Sequence, residues 1–303
     1  MYKNDINGIL LLDKPKGMSS NIVLQKVKRM FNAKKAGYSG TLDKLATGIL
    51  PICFGKSTKF SEYLINSKKL YHTVAIFGKI TATHDSDSMV LEERKINFSS
   101  SDLYKALKLL KNQKIQIIPS YSSKKYKGIP LYKYARNDEY VPVIHNKINI
   151  YQIECIKYNY KRIELNVLCS KGTYIRKLVY DLGILLKCGA HIVKLRRLKV
   201  SDYDISDAIS FDYLYNLRKS YSLNKYHNII YKFLLSMKDV FFKLPEIFYS
   251  SYEKFNINNK FDIFKNIGSG IFRVTIKNNL NVCIICNINH HGRLTSYKLL
   301  NML

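Results

Sequence analysis

The chain has no tryptophan, and only 22 acidic residues stand against 50 basic ones, a net charge of +28 over 303 residues. Scarcity of negative charge on this scale favours a polyanionic partner, nucleic acid first among them. The same composition tempers that reading. Lys outnumbers Arg about fourfold, and Asn, Ile and Tyr are abundant, a skew that AT-rich coding produces without selection for binding. No apolar run approaches the ~20 residues of a membrane span. The apolar stretch 9–12 is too short for a signal peptide and is closed by Asp13, so a cytoplasmic protein is expected. The absence of a long basic amphipathic helix argues against a membrane-surface role. The six cysteines are scattered, which points to reduced thiols rather than a disulfide framework. Internal repeats and long low-complexity linkers are also missing. The 47% hydrophobic content is enough for one large or two smaller domains.

What is present concentrates in residues 34–60, KKAGYSGTLDKLATGILPICFGKSTKF, whose one acidic residue is Asp43. Gly37, Gly40 and Gly48 allow tight bends and close approach of a ligand to the backbone. Lys34, Lys35, Lys44, Lys56 and Lys59 surround the carboxylate with positive charge. Two readings follow from spacing alone. The segment holds an anionic partner around one reactive carboxylate, or Asp43 caps a helix-like run over 45–50.

Elsewhere, 8–12 reads as a buried strand ended by the turn at Lys14, Pro15, Lys16 and Gly17. Ser19 or Ser20 starts a helix to Phe31 with Ile22, Val23 and Val27 on one face. A helix is expected over 58–65, a strand over 71–77, and a helix capped by Ser100 or Ser101 to Leu110. A strand over 163–168 is followed by a helix over 173–186, and 198–244 is helical in tendency. Strands at 272–276 and 282–288 are joined at Asn278 and Asn279. Strands and helices mix without βαβ alternation, so the class is α+β. The stretch 119–143 interleaves Tyr and Lys with few aliphatics, a composition suited to stacking on bases and meeting phosphates, or to a solvated loop. Residues 254–265, rich in Asn and Lys, read as poorly ordered. Cys283 and Cys286 with His290 and His291 resemble a metal site by count, but two Cys three apart on a strand face opposite sides, so no metal is expected.

The run at 34–60 resembles the catalytic motif of the TruB family of bacterial tRNA pseudouridine synthases. The match includes Lys35, Ala36, Gly37, Gly40, Thr41, Leu42, Asp43, Leu45, Ala46, Thr47, Gly48, Pro51 and Gly55. It departs at Tyr38, where the family usually has His, and at Lys44, where it usually has Pro. Further matches lie at 8–20, 69–78, 169–183 and 189–201, so the likeness covers about the first two thirds of the chain. The resemblance implies a pseudouridine synthase fold: a central mixed, largely antiparallel sheet crossed by the active-site cleft, plus a small β-rich module of the PUA type. It implies a catalytic domain over 1–244, with 119–143 as an RNA-contacting insertion, and the C-terminal module over 245–303.

The implied activity is conversion of uridine 55 in the T-loop of tRNA to pseudouridine, by base flipping and Asp-dependent cleavage and rejoining of the glycosidic link. The implied partner is tRNA through its T-arm. An isomerisation calls for no cofactor, and no protein partner is implied. The resemblance makes Asp43 the catalytic carboxylate, Arg176 its guanidinium partner and Tyr71 the ring that stacks on the flipped uracil. Tyr38, Tyr174, Leu195 and Asp85 are implied substrate-binding residues. Lys14 and Pro15 are implied supports of the catalytic loop. A planar Tyr38 can stack and donate a hydrogen bond where the family has His. The alternatives are a tRNA-folding chaperone that remodels the elbow with little or no turnover, and a general RNA-binding protein. A carboxylate among lysines favours the enzyme, because a pure binder has no use for it.

Overall fold

The computed structural model describes residues 3–236, 239, 244, 246–249, 270–276, 279–288 and 294–301. In chain order the first elements are β1 (Gly8–Lys14), α1 (Ser20–Met30), β2 (Ala36–Tyr38) and β3 (Thr47–Phe54). A 3-10 turn (Gly55–Phe60), α2 (Ser61–Asn66) and β4 (Lys69–Phe77) come next. A short hairpin of β5 (Lys79–Thr81) and β6 (Val90–Glu93) leads to α3 (Ser100–Asn112) and β7 (Ile115–Ile117). The segment 119–143 holds only β8 (Lys125–Tyr126), β9 (Ile129–Pro130) and α4 (Leu131–Arg136), and is followed by β10 (His145–Lys147). Then come β11 (Ile150–Asn159), β12 (Arg162–Cys169), α5 (Ile175–Leu185) and β13 (Ala190–Val200). After the short strands β14 (Tyr203–Asp204) and β15 (Ile209–Ser210), α6 (Phe211–Ser220) and α7 (Leu223–Tyr231) precede β16 (Leu234–Leu235).

The central sheet runs β11-β12-β4-β13-β3-β1-β15, with β14, β16 and β2 attached to its flanks. The β13–β3 and β1–β15 pairs are parallel and the other pairs in the sheet antiparallel, so the sheet is mixed and largely antiparallel. The class is α+β, as the mixture of elements leads one to expect. A separate four-stranded sheet is formed by β17 (Glu246–Tyr249), β18 (Gly270–Ile276), β19 (Asn279–Ile288) and β20 (Leu294–Asn301). Among the described residues no helix is long and apolar enough to cross a membrane.

Local chemistry explains the helix ends. The Ser19 hydroxyl accepts from the Ile22 amide and starts α1. Val23, Leu24 and Val27 bury against the sheet, each contributing about 1.5–3 kcal/mol. Ile22, expected on that face, is exposed instead: it lies one position, about 100° of helical turn, from Val23. The cap of α3 is Ser99, one residue before the expected serines, because Asp102 closes a reciprocal capping box with it. The run 45–50 is not a helix; from Thr47 it is β3, buried along nearly its whole length, which removes the helix-cap reading of Asp43. Among the described residues of 198–244, helix is found in α6, in α7 and at Asp239, with a 3-10 turn at Ile205–Asp207, and Leu198 belongs to β13. The turn at Asn278 and the stretch 254–265 lie outside the described residues.

One transverse row of the sheet gathers a buried lysine, a buried arginine and a tyrosine. Register sets Val167 opposite Tyr71, Tyr71 opposite Arg197, Arg197 opposite Gly48, and Gly48 opposite Lys14. Directly paired residues present their side chains on the same face, so Tyr71, Arg197 and Lys14 share one side. Arg196, one step along β13, faces the other way and forks onto Asp13 at 3.1 and 2.6 Å.

Candidate active site

A cleft of about 360 Å³ opens on that face. Its walls include Asp43, Tyr71, Tyr174, Leu195, Arg197 and Lys69, with Ser123 and Lys124 from the Tyr- and Lys-rich segment. Asp43 leads into β3 from an irregular turn and is 38% exposed at its side chain, whereas Arg176 behind it is only 4% exposed. The guanidinium meets the carboxylate with two nitrogens, Nε to Oδ2 at 2.8 Å and Nη2 to Oδ1 at 3.3 Å. Two-point pairing fixes the carboxylate plane as well as its position. The remaining donors of Arg176 go to the carbonyls of Thr83 at 2.7 Å and Tyr121 at 3.0 Å, so every edge of the guanidinium is held.

The turn bearing Asp43 is braced from below. The Ser20 hydroxyl donates to the Leu42 carbonyl at 2.9 Å and accepts from the Leu42 amide at 2.8 Å. The Gly17 amide donates to the Lys44 carbonyl at 2.9 Å. Lys14 is fully buried and donates to the carbonyls of Pro15 and Met18 at 2.8 and 2.7 Å. Burial pulls its ammonium down to about 8, and the Asp43 charge opposes that fall. Lys14 and Pro15 thus tie the first loop together beneath the acidic turn.

Tyr71 is half-buried on β4. Burial pushes its phenol up, and the neighbouring Arg197 cation opposes the rise. Tyr174 caps α5; burial likewise raises its phenol, and the Arg176 cation opposes the rise. The buried Gln116 clamps its backbone at both ends, accepting from the Tyr174 amide at 2.8 Å and donating to its carbonyl at 3.1 Å. Lys69 is buried at the C-terminal end of α2, donating to the carbonyls of Leu64, Ile65 and Ser67 at 2.6–2.7 Å. Burial draws its ammonium down to about 7, and the three oxygens work against that loss.

Two residues implied as substrate-binding lie outside the cleft lining. Asp85 is buried behind Arg176, its Oδ2 at 3.6 Å from Nη1, and it accepts from the Thr83 hydroxyl at 2.5 Å. It backs the guanidinium instead of lining the cleft. Tyr38 sits on β2, paired to β3, and packs against the main core, outside the cleft walls, since its strand leaves the sheet before the turn reaches Asp43. Arg197, Gln116 and Lys69 belong to the site but were not singled out by sequence. Arg197 is one of two adjacent arginines in an otherwise apolar-alternating strand, the one signal available for it. Cys286 is buried in β19; the side chain of Cys283 and residues His290 and His291 lie outside the described residues.

His84, beside Thr83, adopts a left-handed conformation (φ 62°) and stacks on Tyr180 at 4.1 Å. Burial, helped by Lys177 and Arg176, pushes its imidazole down to about 4. The unfolded chain takes up this proton below its ordinary value near 6.5, whereas the folded chain resists until about 4. Stability is therefore lost as pH falls from about 6.5 towards 4, by up to about 3 kcal/mol. Denaturant unfolding at pH 7 and pH 4.5 should show a steeper acid loss in the wild type than in His84→Asn, a residue that tolerates the same backbone.

Two family models match in tandem: the TruB family pseudouridylate synthase N-terminal domain over residues 28–175, and the tRNA pseudouridylate synthase B C-terminal domain over 176–240. The tRNA pseudouridine synthase B of Buchnera aphidicola subsp. Schizaphis graminum is 46% identical over 306 residues, covering 99% of this chain and 98% of that protein. The protein of the same name from Shigella boydii is 50% identical over 213 residues, 70% of this chain and 68% of its own length. Among solved structures, a chain of a Cbf5-Nop10-Gar1 complex superposes with a TM-score of 0.68 at 20% identity, covering 96% of this chain and 84% of that one, which establishes a shared fold. The two family models together span 28–240 without a gap, and that span holds both halves of the Asp43–Arg176 pair: the chain belongs to the TruB family of tRNA pseudouridine synthases.

Proposed function

We propose that this uridine isomerase of tRNA acts at position 55, in the T-loop, with Asp43 as its catalytic carboxylate. The observation that carries the reading is the two-point Asp43–Arg176 pair, with the carboxylate open to the cleft and the guanidinium sealed behind it. The reaction breaks the N1–C1′ bond of uridine, turns the base and joins C5 to C1′. C5 loses a proton and N1 gains one, so no atom is added or removed. A charged carboxylate at the cleft wall serves as the nucleophile or base for this exchange. The target base is stacked inside folded RNA and must be flipped into the cleft, where Tyr71 offers a ring to stack on and Leu195 an apolar wall.

The segment 119–143 supports recognition of the T-arm. Arg136 lies over the Tyr132 ring at 5.4 Å and Lys127 over Tyr126 at 5.4 Å, setting side by side the cations and rings that meet phosphates and stack on bases. Its backbone is tied to the reaction centre, since the Tyr121 carbonyl accepts from Arg176. Closure of this segment on RNA and placement of Asp43 thus share one guanidinium. In this reading residues 1–244 form the catalytic unit and 245–303 an accessory β module, in a cytoplasmic enzyme, and Tyr38 contributes to RNA contact from the neighbouring strand.

The test is incubation of the purified protein with an unmodified tRNA transcript, followed by base-resolution mapping of pseudouridine. Product at uridine 55 is expected, and none in a transcript with cytidine at 55. Refolding of the tRNA elbow without product would replace the enzyme with the chaperone reading.

A further inference from the structure

On the pocket proposed above, on which this rests, we infer that Gln116 and Asn146 are a facing pair of positioning residues for the isomerisation. Together they set the backbone of the cleft wall at 172–174. β7 and β10 form a two-stranded ribbon apart from the central sheet. The Tyr- and Lys-rich segment 119–143 leaves from β7 and returns into β10, and the Ile118 amide closes this neck on the Ile144 carbonyl at 2.9 Å. Register sets Asn146 directly opposite Gln116, so the two amides share one face. On β7 the usual polarity is inverted. Ile115 and Ile117 are 55% and 43% exposed, while Gln116 between them is 1% exposed. Packing alone would bury an isoleucine and leave the amide to water. A buried amide is costly unless both its ends are bonded, and here both ends go to one residue of the cleft wall.

Gln116 Oε1 accepts from the Tyr174 amide at 2.8 Å and Nε2 donates to the Tyr174 carbonyl at 3.1 Å. The side chain thus pairs with Tyr174 as a neighbouring strand would. It holds that residue extended (φ −90°, ψ 106°) immediately before α5 begins. Asn146 Nδ2 donates to the Gly172 carbonyl at 3.0 Å. A Cβ on Gly172 would lie 2.4 Å from that nitrogen, so the loop approaches the ribbon as only a glycine allows. Gly172, Thr173 and Tyr174 all line the cleft. Arg176, the second residue of α5, carries the two-point pair with Asp43. Its tip is held by the Tyr121 carbonyl, and its root by Gln116 through Tyr174. Both ends of the arginine therefore depend on the same excursion of chain. The neck of the RNA-contacting segment also sets the wall against which the base is placed.

The test compares single-turnover pseudouridine formation on unmodified tRNA at saturating enzyme with tRNA Kd, on proteins shown to be folded by circular dichroism at the assay temperature. Gln116→Met keeps the length of the side chain and fills its space, but has no amide. It is expected to slow the chemical step about 100-fold, the scale of an ångström's misplacement, with Kd within about threefold of wild type. Asn146→Leu gives up one bond instead of two and should slow the same step about 10-fold. A role in stability alone would lower the melting midpoint and leave the folded variants at the wild-type rate, which would overturn the inference. So would a kept rate with a weakened Kd, which would make the pair an RNA-binding element. Absence of pseudouridine from the wild-type reaction would remove the proposed function and the inference together, a failure seen without any variant. Should Gln116→Met fail to fold, Gln116→Glu is read under the same criterion. The carboxylate keeps an acceptor for the Tyr174 amide and lacks the donor for its carbonyl.

Discussion

Asp43→Asn should bind tRNA within a few-fold of wild type and form no detectable pseudouridine, a loss of at least about 10⁴-fold in the single-turnover rate. The amide has the shape of the carboxylate but cannot act as nucleophile or base. It still accepts one hydrogen bond from Arg176, so the turn keeps its place through Ser20 and Gly17. The guanidinium loses its nearest negative charge, with Asp85 at 3.6 Å and the carbonyls of Thr83 and Tyr121 remaining. That should lower stability by about 1–3 kcal/mol, seen as a melting shift of several degrees. Binding by filter retention and product by base-resolution mapping separate the two effects. Turnover above about one-hundredth of wild type would remove Asp43 from the chemistry.

Gly48→Ala should be strongly destabilising. Gly48 has φ of +109°, a conformation that residues with a Cβ rarely adopt. A Cβ there would lie 2.2 Å from the Arg197 carbonyl oxygen and 2.5 Å from its amide nitrogen. Both obstacles are backbone, so neither can swing aside. Strain of about 1–3 kcal/mol from the dihedral adds to about 1–3 kcal/mol from the clash. A melting midpoint lower by roughly 10 °C is expected, together with loss of activity in whatever folds, because β13 must move away from β3. Gly17→Ala serves as the comparison: it shares a positive φ but has open space around the new methyl. Equal melting points for the two variants would show that the close approach at Gly48 is not what matters.

Sequence alone went far on the elements and unevenly on the site. Strands with apolar alternation, such as β4 and β12, and helices with serine caps declare themselves through local chemistry. β11 did not, because it is an edge strand whose exposed face alternates Glu, Lys and Tyr with few apolar residues. Asp43, Tyr71 and Arg176 were named from motif likeness; Asp43 and Tyr71 line one cleft, and Arg176 reaches Asp43 from α5 behind it. The motif carried no sign of what stands behind each group. Asp85 was expected to touch substrate and instead backs Arg176, a distinction of a few ångströms that no spacing encodes. Tyr38, implied to contact RNA, lies on β2 at the core edge. Arg197 was invisible for the opposite reason: its side chain bonds two main-chain carbonyls, and carbonyls leave no trace in a sequence.

The transverse row of Lys14, Gly48, Arg197 and Tyr71 also has a meaning in time. Its members are drawn from both ends of the catalytic unit, with β13 inserted between β3 and β4. During synthesis the first 77 residues supply β1, β3 and β4, but none of these can close the row until residue 197 has left the ribosome. Arg176 follows Asp43 by 133 residues, so the carboxylate waits through that length of synthesis without its cation. The carboxylate and the groups around it are thus kept apart by sequence distance and united only when the sheet is whole, so no earlier fragment of the chain holds both the Asp43–Arg176 pair and the complete row.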